Sequence, residues 1–251
     1  MGVHTKIHLL PADETYSRRY WAVAVRAALA SAATRRSTIP VKIPEKFEAF
    51  RQMVLDPANE ALFVSYLKEY SAGGRYTGAY FDELTTRTGS DPNRVDIADL
   101  MSLSLLQVRL NLDAIEYFLN DSTLDELEKH LSAETDRDLA DLTADEAVEL
   151  ERGRLNDAWK LIRKAKRVGR TRTAKLLARK RPRLIPIWDR VVKDVLGLRS
   201  TKGYWKIFHA ALTADECSLD KRLGELATAA DVAERYSRLR VLDILAWMHG
   251  K

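Results

Sequence analysis

Apolar residues recur at steps of three and four along nearly the whole chain, and the first clear stripe is Tyr16, Tyr20, Val23, Ala27 and Ala30. That period is the helical one, so the sequence reads as an all-α protein. Helical patterns follow at about 57–70 and 77–86, and Gly89-Ser90-Asp91-Pro92-Asn93 then reads as a turn. The stretch from Asp96 to Val108 is apolar nearly all round, which predicts a helix capped by Asp96 and buried on several sides. Shorter helices are expected at about 112–119 and 124–131. Thr143-Ala144-Asp145-Glu146 has capping-box spacing. It predicts one long helix to about Lys166 with Val148, Leu155, Trp159 and Ile162 on a single face. Further helices are expected at about 171–180, 188–196, 202–212 and 230–248. Ile39 to Pro44 carries β-branched residues beside two prolines and reads as an extended connector. The candidate boundary is the Asp- and Thr-rich stretch 132–142, which would part the single all-α chain 1–251 into lobes 1–135 and 136–251.

Composition narrows the class. With 251 residues, 46% hydrophobic, the chain can bury a core, and its best apolar stretch, Trp21 to Ala33, is interrupted by Arg26. That is too short and too charged for a membrane span of about 20 residues, so no membrane partner is expected. The lone Cys217 can form neither an intramolecular disulfide nor a multi-thiolate cluster. The N-terminus lacks the layout of a secretory signal, and a cytoplasmic location is expected. His4, His8, His130, His209 and His249 are scattered without a ligand pattern, so neither a metal nor another cofactor is expected.

Charge says more. The formal net charge is only +5, but Asp121 to Glu151 holds twelve acids against two bases, whereas Lys160 to Arg183 holds twelve bases and no acid. A field so concentrated attracts a polyanion, and nucleic acid is the common one. Two readings compete with this: the acidic segment can fold back onto the basic one, or the bases can be a solvated helical face. A third is protein interaction through complementary acidic and basic surfaces, with an acidic protein partner.

Within the basic run, 157–181 reads as helix, a tight Val168-Gly169 turn, and a second helix starting near Thr171. A helix start after a glycine presents free N–H groups and a positive dipole end to an anion. Arg172, Lys175 and Arg179, spaced three and four apart, align on one side of that second helix. Val168-Gly169-Arg170 with Thr173-Ala174, followed by Ile187-Trp188-Asp189-Arg190-Val191-Val192, resembles the core of the helix-hairpin-helix DNA glycosylase superfamily. Over most of the chain a closer resemblance is to an uncharacterised bacterial domain family. Its signatures here are Tyr80-Phe81-Asp82 with Asp91 to Arg94, the run Lys175 to Pro186, and Leu242 to Met248.

The glycosylase resemblance implies a helix-hairpin-helix fold that grips double-stranded DNA through Lys166, Arg167, Val168, Gly169, Arg170, Thr171, Arg172, Thr173, Lys175 and Arg179. It also implies that Asp189 serves a monofunctional glycosylase, stabilising a sugar cation or orienting water as a flipped base departs. A lyase step is not expected, because Gly169 is followed by Arg170, Thr171 and Arg172 rather than by a lysine. Arg167 stands where the family's first hairpin glycine would be. Asp189 also fits an ordinary N-cap. Trp188 and Tyr204 are the candidates for stacking on a base, against a core role; Trp159, Trp205, Phe208 and Trp247 read as core. A DNA-binding module without catalysis is the alternative.

Overall fold

The computed structural model describes residues 41–251, apart from residue 135 and the side chains of residues 85 and 86. The stripe from Tyr16 to Ala30 therefore lies outside the described residues. Those residues form one unit built of α-helices, with no strand among them. In chain order the helices are α1 (Glu45–Leu55), α2 (Glu60–Ser71), α3 (Ala79–Thr88), α4 (Ile97–Leu105), α5 (Leu112–Leu119) and α6 (Asp121–Ser132). They continue as α7 (Ala144–Leu150), α8 (Arg154–Ile162), α9 (Arg170–Lys180), α10 (Arg190–Val195), α11 (Tyr204–Ala229) and α12 (Arg238–His249).

Local chemistry sets several helix starts. Asp96 caps α4 and Thr143 caps α7 in full capping boxes, with Asp99 and Glu146 returning to the cap N–H groups. Asn120 caps α6 and Ser237 caps α12. Val41 to Pro44 is neither helix nor strand, in keeping with the proline-flanked connector. Helix α1, which starts directly after Pro44, has no counterpart among the sequence expectations.

Three expectations need correction. The long helix from Thr143 is two helices: α7 ends at Leu150, and Gly153, with an extended ψ of −156°, caps a new helix at Arg154. Its backbone N–H donates to the Glu149 carbonyl at 2.7 Å, closing α7. The stretch 230–248 divides likewise, because Asp231 takes a left-handed φ of 60° and α12 begins only after Ser237. Helix α4 is not buried on several sides, since Ile97 and Met101 are 61% and 64% exposed.

Helices α9 and α12 run through the middle. Every residue of α9 from Thr173 to Lys180 is buried, and in α12 so are Leu239 to Ala246 and Met248. Helix α11 is interrupted at Ala214 to Cys217, where Asp215, Glu216 and Cys217 all have positive φ. The buried Arg51 of α1 holds this break, donating to Asp215 at 2.6 Å and Ser218 at 2.7 Å.

Candidate nucleic-acid interface and adjoining cleft

The turn between α8 and α9 is built on two buried anchors, Ala165 and Val168, with cations around them. Arg167 adopts a φ of 63°. A non-glycine residue in the left-handed region costs about 1 kcal/mol, so the chain reverses here without the glycine of the resembled motif. Gly169 caps α9 through its backbone alone, and a Cβ added to it would meet nothing within 4 Å. Internal packing does not demand glycine at that position. Arg172 ties the turn down by donating to the carbonyls of Arg109 at 2.7 Å and Arg167 at 3.2 Å. The buried Thr173 hydroxyl donates to the Gly169 carbonyl at 3.1 Å. Thr171 is half-buried at the start of the helix.

Around this turn Arg163, Lys164, Arg167 and Arg170 are exposed. Among the described residues none of the four forms an ion pair. Arg109 is exposed beside them, and Lys166 pairs with Asp113 at 2.7 Å. That hydrogen bond holds the Asp113 carboxyl below the usual range.

The bases from Lys175 to Arg181 face inward, which corrects the expectation that Lys175 and Arg179 reach DNA. Arg179 is buried against the equally buried Asp99 at 3.1 Å, and Lys180 bonds the other Asp99 oxygen. Arg181 donates to the carbonyls of Glu134 at 2.9 Å and Pro92 at 2.7 Å, to Leu131, and to Asn93 Oδ1 at 2.7 Å. Arg183 reaches Asp138 at 2.6 Å, so one base of the run meets the acidic segment. A buried cation persists only with such partners. These side chains hold α4 and the 91–94 and 131–134 segments to the central helix. Val168 and Thr173 are buried as well, so neither side chain faces a ligand.

Asp189 has both candidate roles in view. Its Oδ1 accepts the Val191 N–H at 2.9 Å, the expected N-cap of α10. Its Oδ2 accepts the Lys175 ammonium at 2.9 Å. Lys175 also donates to the Leu106 carbonyl at 3.0 Å. The Asp189 side chain keeps 22% exposure and lines a cleft of about 420 Å³ that Thr171 of the hairpin borders. Trp188 and Tyr204 do not line it. Tyr204 is 2% exposed, donates to the Pro186 carbonyl at 3.2 Å, and packs edge-on against Trp188 with ring centroids 5.4 Å apart. Base stacking by these two is corrected to core packing. Trp159, Trp205 and Phe208 are buried in the same aromatic group, and Trp247 is partly buried at the cleft.

Sequence reasoning missed the far wall of the cleft, which α12 supplies through Arg240, Asp243, Ile244 and Trp247, at helical spacing. Arg240 binds Asp82 at 2.8 Å, the Tyr70 hydroxyl at 2.8 Å, the Gly78 carbonyl at 3.1 Å, and Asp243. Burial pushes the Asp243 carboxyl up to about 6, with the Arg240 charge opposing and Asp189 assisting. Burial likewise raises Tyr70 to about 12. One signal was readable: a carboxylate inside the otherwise apolar run Val241 to Ala246 needs a buried partner or a task.

No curated protein and no solved structure matches the chain. The profile of DUF6308, a family of unknown function, matches residues 63–250, a range that contains the turn, the buried cations and the cleft. The chain belongs to the DUF6308 family.

Proposed function

We propose that the chain binds double-stranded DNA through the turn between α8 and α9. The observation that carries this reading is the set of exposed cations Arg163, Lys164, Arg167 and Arg170, which have no internal counter-ion among the described residues. Arg183, Lys166 and the bases of α9 from Lys175 onward are satisfied within the fold, whereas these four would release counter-ions only on meeting a phosphate chain. They lie next to a helix start whose glycine leaves the backbone open.

The test is fluorescence anisotropy of a labelled duplex at low salt. The unchanged protein should bind, and a variant with Arg163, Lys164, Arg167 and Arg170 all replaced by alanine should lose about 100-fold in affinity. Equal binding by the two, or none by either, overturns the proposal.

A second reading is favoured by one further observation, that Asp189 lines a cleft bordered by the hairpin helix. In this reading the cleft receives a flipped base and Asp189 supports hydrolysis of the N-glycosidic bond. The bond from C1′ to the base nitrogen breaks, water supplies the oxygen at C1′, and its proton leaves with the base. Duplexes carrying different damaged bases, treated with alkali after incubation, should be cut where product forms, and Asp189→Asn should abolish the cuts. Tight binding with no alkali-labile product leaves the DNA-binding module alone.

A further inference from the structure

A second pocket, of about 270 Å³, opens beside the turn and is lined by residues of α8, of the start of α9 and of the segment leading into α11. Three cations from these separate elements meet in its lining: Arg163 just after α8, Arg170 at the start of α9, and Lys202 just before α11. All three are exposed, so an incoming group can reach them. None forms an ion pair among the described residues. The one carboxylate in the lining is Glu151, half-buried, whose Oε1 would stand 3.9 Å from a Cβ on Gly203. Burial raises its carboxyl, against the charges of Lys206, Arg152 and Lys202. The balance of the pocket is therefore positive even with Glu151 ionised, and an anion entering it gains from several charges at once.

The uncharged part of the lining suits the same occupant. Trp159, Tyr204 and Trp205 form a buried aromatic back wall, and a wall of low dielectric focuses the field of the cations toward the opening. Ser200 Oγ accepts the Lys202 N–H at 3.1 Å, which leaves its hydroxyl proton to donate outward. A phosphate offers several oxygens that accept guanidinium, ammonium and hydroxyl donors together.

We propose that this pocket seats a backbone phosphate of the bound duplex, held jointly by Arg163, Arg170 and Lys202 with the Ser200 hydroxyl. The inference rests on the nucleic-acid reading above and extends it to a segment outside the basic run. Arg163 and Arg170 belong to the turn as well, so a strand gripped there meets Lys202 as it continues, and the phosphate held here is one of those the turn engages.

The test is the affinity of a labelled duplex for the full chain at about 50 mM salt, with Lys202→Ala compared against Lys221→Ala. Both lysines are exposed, and Lys221 lies on α11 beyond its break, outside this pocket. Lys202→Ala should lose at least about threefold in affinity and make the salt slope shallower by up to about 1. Lys221→Ala should stay within about twofold of the unchanged protein, and an equal loss in both variants would reflect net charge alone and overturn the proposal. Binding that Lys202→Ala leaves intact but the four-alanine turn variant loses overturns this site and leaves the turn reading standing. No binding by the unchanged protein overturns both. Calorimetric titration with inorganic phosphate separates the sources of the anion: heat that Lys202→Ala abolishes, beside unaltered duplex affinity, assigns the pocket to free phosphate and overturns the strand assignment.

Discussion

Asp99 carries the most weight for a single carboxylate. It closes the capping box of α4 and neutralises Arg179 and Lys180, all in a fully buried setting. Removing its charge strands two buried cations. Asp99→Asn should therefore cost about 3–5 kcal/mol in urea denaturation, and a loss under about 1 kcal/mol would mean that the cations are hydrated after all. Asp136 behaves in the opposite sense. Burial pushes its carboxyl up to about 6, against the help of the Arg183 N–H and nearby arginines. An unfolded aspartate gives up its proton near 4. The folded chain thus binds the extra proton between those values. The stability this proton lends is complete below the unfolded value and is lost as pH rises through the folded one. Relative to the unchanged protein, Asp136→Asn should gain stability steadily from about pH 4 to 6; a constant difference across that window contradicts the assignment. In the sequence, Asp96 was legible as a cap because its partner stands three residues on. The partners of Asp99 stand 80 residues away and follow no local pattern.

At the level of helices, the existence of an element was easier to read than its breaks. Capping signals at Asp96 and Thr143 act over one turn, and the fold obeys them. The interruption at Gly153 escaped notice because Ala147, Leu150, Leu155, Ala158 and Trp159 all reach the core, so the apolar pattern persists across it. Helix α1 begins directly after a proline, and the connector pattern before it masked its start. Some constraints are purely tertiary. A Cβ on Gly250, just past α12, would lie 2.8 Å from Val191 Cγ1 of α10 and closer still to Val195. Gly250→Ala should therefore push α12 off α10 and cost about 1–3 kcal/mol, measured as a lower midpoint in thermal or urea unfolding. An unchanged midpoint would mean that the terminal residues yield freely.

Over the described residues, one uninterrupted basic run divides into a buried, paired set and an exposed set. Sequence spacing put Arg172, Lys175 and Arg179 on a single side of a helix, and they are so arranged. Which side meets water depended on where the other helices pack. Lys175, Arg179, Lys180 and Arg181 became internal ties, and Arg163, Lys164, Arg167 and Arg170 stayed outside. The cleft was half legible: Asp189 could be picked out on one wall, whereas Tyr70, Arg240 and Asp243 on the others come from segments far apart in the chain. The division of the run is the central claim, and the salt dependence of duplex binding tests it most directly. With about four phosphates engaged, the plot of log affinity against log salt should have a slope of roughly −3 to −4, and affinity should drop about 100-fold from 50 to 200 mM. Replacing all four exposed cations by alanine should bring that slope close to zero. A slope unchanged in the four-alanine variant would contradict the account.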